Sequence, residues 1–137
     1  MVRAYAKKMN CDFAVVDKRR TDDKKVEVMN ILGEVKGKNV VLVDDVIATG
    51  SSVLEAVGAL KQEGAKDIYA AITHAVLSGN AVEKINRSAL TKLIITDTIF
   101  LDSKGKTYKI EILSVADLLG EAIRRIHQEE SVSSLFD

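Results

Sequence analysis

The sequence has no proline and no tryptophan, and only one cysteine, in 137 residues. The lone Cys11 excludes an internal disulfide, and that suits a reducing compartment. No apolar run approaches the roughly 18 residues that a membrane-spanning helix needs. The opening residues, Met1-Val2-Arg3-Ala4-Tyr5, lack the apolar stretch of a secretion signal. Neither sign of charge is in excess, since Lys plus Arg and Asp plus Glu both number 20. A general nucleic-acid grip needs a basic surplus, so no nucleic-acid partner is expected. These absences predict a cytoplasmic chain with no membrane partner. The missing proline is the odd one. At an average usage of about 5%, a chain this long carries roughly seven.

What is present suffices for a packed core: 47% apolar and 29% charged residues. Residues 1–137 read as one domain. Short β-branched runs alternate with amphipathic stretches, which predicts an α/β fold with a mainly parallel sheet flanked by helices. A helix is expected over 3–9, a strand over 13–17, a charged loop over 19–25 and an extended segment over 26–32. After a turn at 33–38, the apolar run 39–43 reads as a buried central strand. Residues 52–63 read as a helix. Ser52 and Glu55 stand at capping-box spacing, Leu54, Val57 and Leu60 form a stripe, and Gly64 is the C-cap. Further strands are expected over 68–73, 93–96 and 109–113, a short helix over 80–88 and a turn over 101–107. Ser114 is expected to cap a last helix, with Asp117 at the box position and Leu119, Ala122, Ile123 and Ile126 facing the core. In the tail, 131–137, the Leu135-Phe136 pair is expected to dock on the body or on a partner.

Chemistry concentrates in residues 40–52. The apolar strand delivers Asp44 and Asp45 to its carboxyl end, where open parallel sheets hold ligands. Ala48, Thr49, Gly50, Ser51 and Ser52 are small residues that open a helix. Free amides and the positive end of the helix dipole converge there into an anion site. Gly50 permits close approach, and the hydroxyls of Thr49, Ser51 and Ser52 add donors. The two acids repel phosphate, so they suit sugar hydroxyls or Mg²⁺. The two ends together match ribose 5-phosphate. No Gly-Lys-[Ser/Thr] ending is present, so this is not a P-loop.

The run from Val40 to Ser52 resembles the sugar-phosphate loop of the phosphoribosyltransferase fold. With Val15-Val16-Asp17-Lys18-Arg19-Arg20, Thr73-His74-Ala75-Val76-Leu77-Ser78-Gly79 and Ser131-Val132-Ser133-Ser134-Leu135-Phe136, the chain resembles the ribose-phosphate pyrophosphokinases of the bacterial class. The likeness covers the whole chain and corresponds to the C-terminal half of that enzyme. It implies transfer of the diphosphoryl group of ATP to ribose 5-phosphate, with Mg²⁺. It also implies that Lys18 and Arg20, on a flexible loop closing over the triphosphate, stabilise the transition state as catalytic residues. In an extended segment these two positions share a face. The adenine-binding half and an acidic pyrophosphate loop are expected to be missing, so little or no turnover is expected from this half alone. Thr21, Ala75 and Asn80 stand where the family commonly has proline, which reads as deliberate replacement.

Two further readings stay open. One is a small phosphoribosyltransferase acting on a nucleobase, since Ala48-Thr49-Gly50 is closer to the true transferases. The other is a non-catalytic module that works only with a separate N-terminal half. A homodimer or a monomer is the expected assembly. His74 reads as structural or interfacial, His127 as solvated, Cys11 as a small buried or half-buried residue, Asp97 as a turn acid and Lys104-Gly105-Lys106 as an exposed turn.

Overall fold

Four strands run parallel in the order β3-β4-β5-β6, where β3 is Val40–Ile47, β4 Ile68–Ala75, β5 Lys92–Thr96 and β6 Ile110–Leu113. The computed structural model describes residues 2–20, 27–102 and 107–136. Helix α1 (Val2–Met9) precedes an antiparallel hairpin of β1 (Val15–Arg20) and β2 (Glu27–Leu32), a sheet of its own. Helices α2 (Ser51–Gln62), α3 (Ala81–Arg87) and α4 (Ala116–His127) follow β3, β4 and β6, and a 3₁₀ turn spans Ser133–Leu135. The fold is therefore the expected α/β architecture, with a parallel sheet flanked by helices. Among the described residues, no helix is long and apolar enough to cross a membrane.

One sheet face carries the core. Ile68, Ala70 and Ile72 of β4 and Leu93 and Ile95 of β5 are buried against Val57 and Leu60 of α2 and Ile85 of α3. The alternating buried and half-buried pattern along β4 and β5 fixes which side of each strand this is. The C-cap of α2 is Glu63 rather than the expected Gly64, which follows it at φ 83°. Gly64 N–H donates to Lys61 O and Ala65 N–H to Leu60 O, closing the last turn.

Several local expectations are corrected. β3 is not central: among the described residues it lies at the sheet edge, and it runs four residues past Val43. Pairing with β4 continues to Ile47↔Ala75, which carries the strand through both acids. The strand expected over 13–17 begins at Val15 and extends to Arg20, because residues 15–20 pair with 27–32. Arg19 and Arg20 are thus strand rather than loop, while residues 21–25 lie outside the described residues. The Ser52/Glu55 capping box does not cap α2, whose N-cap is Gly50 with no side-chain cap bond. Ser114 is not the N-cap of α4, which is Val115, although Ser114 Oγ accepts from Ala116 N–H at 3.2 Å. The α4 stripe does not face the core: Leu119, Ile123 and Ile126 are 53%, 68% and 67% exposed. Cys11 is exposed rather than buried. The Lys104-Gly105-Lys106 turn lies outside the described residues.

Candidate functional site

The turn between β3 and α2 is built on Gly50, at φ 75° and ψ −7°. A Cβ there would meet its nearest neighbours only at 3.8–4.0 Å, so the left-handed backbone, not crowding, calls for glycine. Leu54 N–H donates to Gly50 O at 2.9 Å, the first bond of the helix. The amides of Ser51, Ser52 and Val53 precede it and have no intrahelical carbonyl. The N-cap residue, Gly50, makes no side-chain cap bond to them. Amides left open at the positive end of a helix form an anion site. Thr49 Oγ1 donates to Ser51 Oγ at 3.3 Å, which sets two hydroxyls side by side on the same turn.

The turn is braced from behind by the connection between β4 and α3. Val76 N–H donates to Ile47 O at 3.0 Å, and Ser78 N–H donates to Ala48 O at 3.0 Å. Between them, Leu77 adopts φ 46° with its side chain buried. A non-glycine residue there costs about 1–2 kcal/mol, and burial of the leucine offsets it. Sequence reasoning missed this brace, because nothing in Val76-Leu77-Ser78 marks a left-handed leucine.

Asp44 and Asp45 are both exposed on the last half of β3. Asp44 Oδ1 accepts from Asp45 N–H at 2.9 Å, which ties one carboxylate to the following backbone amide. The structure therefore brings Asp44, Asp45, Ala48, Thr49, Gly50, Ser51 and Ser52 into one continuous edge. Lys18 and Arg20 stand apart from it in the sheet plan, at alternate positions of β1 opposite Met29 and Glu27 in the hairpin.

The neighbouring strand ends add polar groups. Thr96 Oγ1 and Thr98 Oγ1 both donate to Thr73 O, at 2.7 and 3.1 Å. His74 Nδ1 lies 2.9 Å from Thr98 Oγ1, so His74 is held by a structural bond. Asp97 is the expected turn acid. It accepts from Ser114 Oγ at 2.5 Å and from Val115 N–H at 2.9 Å, tying the end of β5 to the start of α4. The Ser114 hydroxyl, then the Val115 amide, hold its carboxyl below the usual carboxylate range.

Among the described residues, no three His, Cys, Asp or Glu side chains converge on a metal-sized site. Two adjacent carboxylates still fit Mg²⁺, which typically takes one or two carboxylates together with substrate oxygens and water.

A parallel sheet with an uncapped helix start and two acids at its carboxyl edge defines an α/β domain of the kind that carries ligands at that edge. The family model described as "Phosphoribosyl synthetase-associated domain" matches residues 4–137, and the chain belongs to that family. It is 50% identical over 135 residues to the ribose-phosphate pyrophosphokinase of Nitrosomonas europaea, covering 98% of this chain and 43% of that one. Against ribose-phosphate pyrophosphokinase 2 of Enterococcus faecalis, the identity is 47%, with 98% and 42% covered. The crystal structure of phosphoribosylpyrophosphate synthetase from Mycobacterium smegmatis superimposes with a TM-score of 0.85 at 30% identity, covering 93% of this chain and 41% of that one. The chain thus spans about two-fifths of the length of the relatives it matches.

Proposed function

We propose that this chain is the ribose 5-phosphate-binding part of a ribose-phosphate diphosphokinase. The parent reaction converts ATP and ribose 5-phosphate into phosphoribosyl pyrophosphate and AMP. The observation that carries the reading is the open start of α2, led by Gly50 and placed directly after two acids in a chain of this family. The 5-phosphate accepts from the amides of the Ala48–Ser52 turn, whose hydroxyls add donors. Asp44 and Asp45 accept hydrogen bonds from the ribose hydroxyls. Asp44 and Asp45 would hold Mg²⁺ together with the ribose hydroxyls, and the ion would neutralise charge on the transferred diphosphoryl group. Lys18 and Arg20 act on the polyphosphate of ATP, stabilising charge as it shifts during transfer. The chain alone binds the sugar phosphate with little or no turnover.

Calorimetric titration with ribose 5-phosphate, with and without Mg²⁺, tests the reading. Asp44→Asn with Asp45→Asn is expected to weaken the sugar phosphate at least tenfold. Lys18→Ala is expected to leave its binding intact and to matter only when a polyphosphate is present. An Asp44/Asp45 double variant that binds as well as the original would remove the acids from the site.

A further inference from the structure

Helix α4 has no buried residue along Ala116–His127. Its apolar side chains nevertheless keep a regular spacing. Ala116, Leu119, Ile123 and Ile126 recur at intervals of three, four and three. That is the seam along which two α-helices pack side by side. The ion pairs of the helix keep clear of it. Arg124 and Arg125 pair with Glu121 at 2.8 and 2.7 Å on the opposite side. Arg125 Nη1 also donates to Ser131 O and Ser134 Oγ, which holds the tail to that polar side. The seam is left exposed, with Leu119, Ile123 and Ile126 open to solvent.

We propose that the α4 seam pairs antiparallel with α4 of a second copy of this chain. One register uses the whole seam. Leu119 packs on Ile123 of the second copy and Ala116 on its Ile126, each contact made twice by the two-fold axis. At the level of that axis, small residues flank the seam: Gly120 on one side and Ala122 on the other. No atom lies within 4 Å of where a Cβ on Gly120 would stand, so the approach is open. The charges favour this direction. Asp117 stands in the first turn and Arg124, Arg125 and His127 in the last. Antiparallel pairing sets Asp117 level with Arg124 of the second copy, whereas a parallel pair sets like charges level. The seam is small. Four side chains a partner cover less than the roughly 800 Å² of a stable interface. The pairing is therefore weak and set by concentration, and the stripe stays open in dilute solution. It uses no residue of the turn between β3 and α2, so it stands or falls apart from the sugar-phosphate reading.

The test is sedimentation equilibrium of the full chain from roughly 10 μM to 1 mM, the range of weak association. The average mass is expected to rise from that of one chain towards that of two. Ile123→Glu puts a charge into the seam and is expected to raise the dissociation constant at least tenfold. Ile123 is 68% exposed, so this variant is expected to keep the circular-dichroism spectrum of the parent. Direction is read by cross-linking in a Cys11→Ser background, since the native thiol is exposed. A mixture of Leu119→Cys and Ile123→Cys chains is expected to oxidise to a covalent pair faster than either variant alone. A mass that stays at one chain throughout the range overturns the pairing and leaves the stripe to another polypeptide. A dimer indifferent to Ile123→Glu overturns it too, because another surface then holds the copies together. Faster cross-linking of like with like overturns the antiparallel direction and with it the pairing. If Ile123→Glu loses its fold, the cross-linking alone decides.

Discussion

The two faces of the parallel sheet share their strands and differ in everything that covers them. On one, α2 and α3 seal Ile68, Ala70, Ile72, Leu93 and Ile95 into a closed core. On the other, Tyr5 of α1 lines an open cavity. Outside the core, α4 leaves Leu119, Ile123 and Ile126 exposed. α4 holds itself together along its polar side instead. Arg125 and Arg124 pair with Glu121 at 2.7 and 2.8 Å, and Arg124 also reaches Glu130 at 3.0 Å. An apolar stripe at helical spacing tells that a helix has a face to bury. It does not tell which surface that face meets.

The largest effect expected from this contrast is in stability. Leu60→Ala on the closed face should cost about 2–5 kcal/mol in denaturant unfolding, because it opens a cavity in a sealed core. Ile123→Ala on the exposed stripe of α4 should stay within about 0.5 kcal/mol. Equal losses would show that α4 buries its stripe in solution and would break the comparison. Next comes the turn between the faces. Gly50→Ala should destabilise by about 1–2 kcal/mol through its left-handed backbone. The same variant should weaken ribose 5-phosphate, as seen by paired unfolding and titration.

A smaller, local effect is expected at Asp97. Asp97→Ala removes both anchors of the α4 start, so amide exchange should quicken in α4 and stay unchanged in α2. The smallest is an acid transition. The Arg124 and Arg125 guanidinium groups hold the Glu121 carboxyl at about 2, against an ordinary 4.5. A carboxyl depressed in the folded state stabilises above its ordinary pKa, and that contribution is lost as pH falls through the depressed value. α4 helicity, read by circular dichroism, should therefore decline from about pH 4.5 towards pH 2. Glu121→Gln should remove that dependence. The pair is exposed, so the change should be slight and should shrink in salt.

Much of this was legible in the sequence. The alternation of β-branched runs and amphipathic stretches gave the parallel sheet and its three following helices, because period 2 and period 3.6 are set by backbone geometry. Placing Asp44 and Asp45 late in a strand and residues 48–52 at the turn into a helix needed only residue type and order, since neither position depends on a distant partner. What failed depended on partners far along the chain. Residues 19 and 20 looked like loop because they are charged, and pairing with residues 27 and 28 made them strand. Asn39–Val43 looked central because it is apolar, yet no strand pairs on its outer side among the described residues. Ser52 and Glu55 matched a capping pattern, and Gly50 took the cap because β3 runs on to Ile47 and the chain must then turn sharply.

The central claim is that the turn from β3 into α2 holds the phosphate of a sugar phosphate. Amide chemical shifts of residues 49–53, followed while ribose 5-phosphate and then plain ribose are added, test it most directly. The account predicts saturable shifts at Gly50, Ser51 and Ser52 with ribose 5-phosphate and almost none with ribose at the same concentration. Shifts of equal size with both sugars, or none at these amides with either, would contradict it.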